Sequence, residues 1–377
     1  MSANNNQIER ELEQTAPDLF KKYDFVKENL KPIHESVVQG ASVADGGLLT
    51  GHGPAHIARV GEVASILVDQ CPVELSSYEM FILLVAIQIH DIANIKGREK
   101  HEKRIPAIWK KAIAELAFDS FDKSLAEQIA SAHGGKIGND KNTIGRLEPD
   151  GPWNNQHVRP RFLAALLRVS DELAEDPDRA ARTLLALDQV PKENEIFHIY
   201  AGGLHSIAPE ISSSSVRLSF AFNEDLFLKP LGKGDQEEYL LDEIYSRAVK
   251  TWLECIYCSR FFPGFELKKV HVEILIFAKP DGDEDQIDQR KEHIRFYLED
   301  DGYPRIGDAQ IFNLSKDIGD FRGGGPLTAQ RLIDILKPNE GEKEKKEASD
   351  VKNTGKKPSI LDVVTGFFKP KNTGDAQ

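Results

Sequence analysis

The chain has 377 residues, enough to bury a sizeable core and to form two or three domains. Its apolar (40%) and charged (29%) shares are those of an ordinary soluble protein. A net charge of −13 argues against a general nucleic-acid binder, which needs clustered Lys and Arg, but leaves room for a small phosphorylated ligand.

The longest apolar run, around 80–93, is too short to span a bilayer and carries Gln88, His90 and Asp91, so no membrane association is expected. The N-terminal residues lack a charged-then-apolar signal pattern. Three cysteines, Cys71, Cys255 and Cys258, are too few for a disulfide framework, and a reducing cytoplasm is the expected address.

Residues 7–40 read as helical, with Pro17 and Pro32 interrupting the apolar spacing. After a Gly-rich stretch, Thr50 or Gly53 is placed to cap a helix that has Pro54 in its first turn and Ile57, Val60, Val63, Ala64, Leu67 and Val68 on one face. Helices are expected at 76–93, 105–118, 122–133 and 159–174, with no strand between about 54 and 188. Past Pro191 the pattern alternates: strands are expected at Ile196–Ala201, Val216–Asn223, Val270–Ala278 and Ala309–Leu314. Helices are expected at 236–261, Gln286–Glu299 and Thr328–Leu336. The strand at 270–278 is a candidate dimerisation edge, which leaves a homo-oligomer open.

The fold class is therefore mainly α: a helical bundle, an appended smaller α+β region and a disordered C-terminal tail. The expected divisions are an N-terminal helical segment (1–40), a helical domain (41–190), an α+β region (191–337) and a tail (338–377). The tail is too polar to offset its ordering entropy. Its apolar island at 359–369 either touches its own domain or docks a protein partner.

His56 opens one apolar helix, His90-Asp91 ends a second, and Asp171 ends a third. A histidine and a carboxylate inside apolar sequence are costly unless paired, and a divalent ion is the usual solution. Polar groups at the ends of three core helices can converge on one cavity. Two His and two carboxylates make a mixed N/O set suited to Mn²⁺, Fe²⁺, Ni²⁺, Mg²⁺ or Zn²⁺, as one or two ions. Asp91, directly following a histidine ligand, is the natural shared ligand.

The order His…His-Asp…Asp resembles the HD-domain metal-dependent phosphohydrolase superfamily. Thr50-Gly-His-Gly-Pro-Ala-His, His90-Asp-Ile-Ala-Asn-Ile, Ala132-His-Gly-Gly and Leu167-Arg-Val-Ser-Asp-Glu-Leu look closest to HD-type domains found beside chaperone-like ATPases and nucleotide-signalling proteins of bacterial conflict systems. The resemblance covers about 40–280 and implies a helical bundle whose metal ligands are His56, His90, Asp91 and Asp171. Two-metal members recruit further histidines from the interval that holds His101 and His133, which become candidates for a second ion or for catalysis. His52 is either a site residue or a helix-entry cap.

Arg98 heads a basic group (Lys100, Lys103, Arg104) placed to contact phosphate, and Arg168 lies one turn before Asp171. Arg179 and Arg182 are expected to pair with acidic neighbours. Cys255-Ile-Tyr-Cys258 reads as buried packing, and Phe321-Arg-Gly-Gly-Gly as a turn without the frame of a P-loop. The implied activity is hydrolysis of a phosphoester, in a nucleotide or nucleotide-like substrate, by a metal-activated water. Two rivals stay open: a nucleotide-sensing module without turnover, and a di-iron oxygenase on the same fold.

Overall fold

Pro17 does not break one long helix but begins a second. Asn6 caps α1 (Gln7–Thr15) through a bond from Glu9 N (2.9 Å), and α2 (Pro17–Ala44) follows with Pro32 in its interior. A computed structural model describes residues 6–44, 51–97, 99–112, 119–278, 290–299 and 328–336. The chain divides into two compact units, Met1–Ala329 and Gln330–Gln377. The expected strand at 309–314, the Gly-rich turn at 321–325 and the tail with its island lie outside the described residues.

In the first unit, α3 (Pro54–Gln70) starts at Gly53 with Pro54 in its first position, and buries His56, Ile57, Val60, Val63, Ala64 and Leu67. At the centre runs α4 (Ser77–Ile89), buried on every side from Tyr78 to Ile89, as a helix apolar all round must be. The stretch Ser77–Lys96 is long and apolar enough to cross a membrane, longer than the sequence run suggested, yet it is almost wholly buried within the bundle. Its start is set by a capping box: Ser76 Oγ accepts from Glu79 N, and Glu79 accepts from Ser76 N. Its far end is stitched to α2, where His34 Nε2 donates to Gln88 O (2.7 Å) and Gln88 Nε2 donates to Tyr23 (3.2 Å). Tyr23 in turn donates to buried Glu9 of α1.

The short helix α6 (Ser120–Ser131) packs on α4, α5 (Ile105–Ala112) packs on α6, and α7 (Pro160–Glu172) packs between α3, α6 and α4. One expectation fails here. The stretch taken as strand-free holds a hairpin of β1 (Gly151–Trp153) and β2 (Gln156–Val158), turned by Asn154 and Asn155, both at positive φ. Three-residue strands carry too little alternation to be read from sequence.

Beyond it lie α8 (Arg182–Ala186), α9 (Glu195–Gly203), β3 (Leu204–Glu210), β4 (Ser215–Asn223), α10 (Glu224–Phe227), the hairpin β5 (Leu231–Lys233) and β6 (Gln236–Glu238), α11 (Leu240–Ser259), β7 (Lys269–Phe277) and β8 (Arg290–Glu299). The strand expected at 196–201 is the helix α9. Its β-branched and aromatic residues suit a strand, but Ile196, Ile199 and Tyr200 share a helical face that is buried. The helix expected at 286–299 is the strand β8 in its described part. Ile294, Phe296 and Leu298 alternate inward while charged residues between them masked the period of two.

The four-stranded sheet has the order β3-β4-β7-β8, with β4 and β7 parallel and the other pairs antiparallel. The 270–278 strand is therefore interior, and it offers no edge for dimerisation; among the described residues the edges are β3 and β8. Helix α11 lies between this sheet and α7. Trp252 Nε1 donates to Lys268 O (2.9 Å) on the sheet side, and Thr251 Oγ1 donates to Glu172 (2.8 Å) on the α7 side. Cys255 and Cys258 are free and buried, and burial pushes both thiols up, as packing rather than redox chemistry requires. The protein is thus mainly α, with a smaller α+β layer.

The cap of α4 is also an ion pair. Arg159, just before α7, donates through N, Nε and Nη2 to Glu79 (3.1, 2.8 and 2.7 Å). Burial would raise the Glu79 carboxyl, but Arg159 and Ser76 hold it below its usual 4.5. This stabilisation is present above pH 4.5 and lost as the pH falls. Arg159→Ala is expected to cost about 2–3 kcal/mol in urea unfolding at pH 7, and less at pH 4; an equal loss at both would contradict the pairing.

Candidate metal centre

Seven side chains from five places in the chain meet at the C-terminal end of α4. His90 caps α4 and Asp91 follows it. His52 and His56 come from the entry and first turn of α3, Asp171 from the last turn of α7, His133 from just beyond α6, and His101 from a short 3-10 turn (His101–Lys103).

Asp91 stands in the middle. Its Oδ2 lies 2.8 Å from His52 Nδ1, 3.7 Å from His56 Nε2 and 3.5 Å from His90 Nε2. Its Oδ1 lies 3.1 Å from His101 Nε2 and 3.8 Å from His133 Nε2. Asp171 Oδ1 closes the first group, 3.0 Å from His56 Nε2 and 3.6 Å from His90 Nε2. The rings of His52, His56, His90, His133 and His101 follow one another with centroids 5.0–5.6 Å apart.

This spacing can be tested against a metal. Ligand atoms about 2.1 Å from one ion stand about 3.0–3.4 Å apart in octahedral or tetrahedral geometry. The separations within the two groups, 3.0–3.7 Å around His56, His90, Asp91 and Asp171 and 3.0–3.8 Å around Asp91, His101 and His133, are close to that. The nitrogens also point correctly. His90 Nδ1 donates to Ile87 O (2.8 Å) and His133 Nδ1 to Ala130 O (2.5 Å), which turns each Nε2 into the cluster. His90 Nε2 is buried and makes no hydrogen bond, the orphaned atom a cation would satisfy. His101 and His133 face each other Nε2 to Nε2 at 3.0 Å, which needs a proton or a cation between them. The donor set fits a divalent ion in both groups.

Electrostatics agree. Burial would raise the Asp91 carboxyl, but His90 and His52 beside it hold it well below the carboxylate range. Burial likewise opposes ionisation of Asp171, and the hydrogen bond from His56 with the charge of nearby His90 reverses it. Burial would lower His90, but the Asp91 and Asp171 charges lift it to about 9. His133 moves the other way: burial, then the neighbouring His101 and His90, lower it to about 4.

Two local devices bring His101 back to Asp91. Arg104 donates to the carbonyls of Lys96 (2.7 Å), Gly97 (2.6 Å) and Glu99 (2.5 Å), gathering the backbone between them. Gly135, at φ +69°, lies so close to Glu102 that a Cβ would stand 2.3 Å from its Oε1. A side chain there would push the His101 turn away from His133. Arg104 is thus a structural clamp rather than a phosphate contact. Lys100 pairs with Glu99 in solvent, and Arg98 lies outside the described residues. Arg168 is buried, donating to Glu254 (2.6 and 2.9 Å) and Thr143 (2.9 Å), so it does not reach the cluster.

His52 is not a helix cap. It donates Nδ1–H to Asp91, and its Nε2 accepts from Arg179 Nη2 at 2.8 Å. Arg179 pairs with Glu175 (3.0 Å), as its acidic surroundings suggested, but the contact with His52 had no sequence signal. The chain of charges continues through Arg247, which meets Glu175 at 3.4 Å and Glu243, and through Lys233, 2.7 Å from Glu243 on the β5–β6 hairpin.

A helical bundle with His/His-Asp/Asp at the ends of its core helices, opening where Asp171 (27%), His101 (20%) and His52 (16%) are part exposed, defines an HD-type domain. The HD-CE family model matches residues 43–247, more than half the chain, and the chain belongs to that family. No curated protein and no solved structure matches it.

Because His90 holds a proton up to about 9 and must lose it to ligate, loading a divalent ion at pH 7 should release about one proton from it. Calorimetric titration with Zn²⁺ in buffers of differing ionisation enthalpy reads this. The release should disappear in His90→Ala; release unchanged in that variant would contradict the assignment.

Proposed function

We propose that the chain is a metal-dependent phosphohydrolase, a phosphodiesterase or phosphatase acting on a nucleotide or nucleotide-like substrate. The observation that carries the reading is the position of Asp91, whose two oxygens face two separate imidazole groups. His56, His90, Asp91 and Asp171 would hold one divalent ion, and Asp91, His101 and His133 a second. Such ions supply a Lewis acid for a phosphoryl oxygen and lower the pKa of water to give a nucleophile near neutral pH.

The chain's own residues do the rest. Asp91 stays ionised at any pH of interest, and His52, held by Arg179, fixes the orientation of its Oδ2. The buried side of the cluster, formed by α3, α4 and α7, keeps bulk water from the inner faces of His56 and His90. Substrate approaches from the side of Asp171 and His101, where the cluster is part exposed. In this reading residues 41–190 carry the chemistry and 191–337 form the α+β layer. The reading also carries a cytoplasmic address and an association with chaperone-like ATPases of bacterial conflict systems.

One rival is favoured by a specific observation. His56, His90, His101 and His133, with the two aspartates that converge here, are also the set a di-iron oxygenase on this fold needs. Full-length protein loaded with Mn²⁺ or Fe²⁺ and offered a panel of nucleotides and cyclic dinucleotides separates the readings. Phosphoester cleavage without O₂ uptake supports the phosphohydrolase. O₂ uptake, or nucleotide binding without turnover, overturns it.

Asp91→Ala should lose metal by elemental analysis and all turnover, whereas His133→Ala should keep about half the metal and lose roughly 100-fold or more in rate. Full metal content and unchanged hydrolysis in Asp91→Ala would sink the ligand assignment.

A further inference from the structure

Helices α7 and α11 lie side by side, and the turn at 140–142 closes the space between them into a cavity of about 480 Å³. That is within the size range of small-molecule sites, about 300–1,000 Å³. Val249, Leu253 and the Tyr257 ring give it an apolar surface, and Leu253 is left 39% exposed. Tyr257 is held in place by its hydroxyl, which donates to Asn142 Oδ1 (3.1 Å) and accepts from Ile144 N (3.0 Å).

The charges around the cavity do not cancel. Asp140 pairs with Arg146 (3.1 Å), Glu254 with Arg168 (2.6 Å) and Lys250 with Glu172 (2.7 Å). Lys141 and Arg260 have no carboxylate partner among the described residues, and Arg260 contacts only the rings of Tyr257 and Phe261. Two uncompensated cations on one small cavity stand out in a chain of net charge −13.

Position adds a third element. Lys250 feels the charge of Asp171 as well as that of its partner Glu172, so this end of the cavity lies near the candidate metal centre. Arg260, the C-cap of α11, stands ten residues beyond Lys250, about 15 Å at the helical rise. Two cations left without carboxylates, beside an apolar wall, match a ligand that carries more than one negative charge and an apolar part.

We infer that this cavity binds a nucleotide carrying more than one phosphate, its phosphates held by Lys141 and Arg260 and its base on Val249, Leu253 and Tyr257. The inference deepens the phosphohydrolase reading and rests on it for turnover, though not for binding.

The test uses the full chain as purified. Mant-labelled β,γ-imido analogues of ATP and GTP are titrated by fluorescence anisotropy while phosphate release from the parent nucleotides is measured in parallel. Saturable binding of either analogue is expected, weakened at least ten-fold in Lys141→Glu/Arg260→Glu and displaced by inorganic tripolyphosphate. Absence of binding to the wild type overturns the inference. So does equal affinity in a variant whose circular dichroism and melting match the wild type. Displacement by adenosine but not by tripolyphosphate, read on the wild type alone, also overturns it. Binding that behaves as expected without any turnover would leave the cavity assigned and remove the phosphohydrolase reading instead.

Discussion

A carboxylate as buried as Asp91, 4% exposed at the end of an apolar helix, stays ionised only if positive charge or strong donors surround it. The structure meets that constraint with histidines from α3, α4, α6 and the turn at 101–103. Each is delivered by a helix end or a tight turn, so the bundle must be assembled before the carboxylate is compensated. Removing any one partner leaves a buried charge short of a neighbour, which is why the elements around the cluster are so heavily stapled. The capping box and Arg159 fix where α4 begins, while Gln88, His34 and Tyr23 hold where it ends.

From Asp91 the same electrostatic logic runs outward. His52, Arg179, Glu175, Arg247, Glu243 and Lys233 alternate in sign or in donor and acceptor role, from the cluster to the β5–β6 hairpin. Burial would raise Glu175, but Arg179 and Arg247 bring it down to about 2, so its carboxylate stays charged between the two guanidiniums. Arg247 also lies 4.2 Å over the Tyr200 ring of α9. The α+β layer is therefore coupled to the bundle by a part-buried ionic row as well as by the packing of α11 on α7.

What the sequence disclosed follows from what is local. His56, His90, Asp91 and Asp171 each interrupt an apolar helical run near its end, a one-dimensional pattern with one common physical cause. His101 and His133 were candidates through family resemblance, and the structure places both on the far oxygen of Asp91. The contacts that escaped are long-range. Arg179 meets His52 across 127 residues, and Arg168, one turn from Asp171, turns away to Glu254, 86 residues on. Secondary structure failed where composition opposed burial: α9 is rich in strand formers, and β8 hides its alternation among charged residues. In both, the tertiary partner decided the conformation.

The central claim is that Asp91 is shared between two divalent ions. Electron paramagnetic resonance of the full chain loaded with Mn²⁺ reads it directly, because two ions bridged by one carboxylate are exchange-coupled. A multiline spectrum with the hyperfine spacing halved, lost in Asp91→Ala, is the predicted result. A simple six-line spectrum of isolated Mn²⁺ at full loading would contradict it.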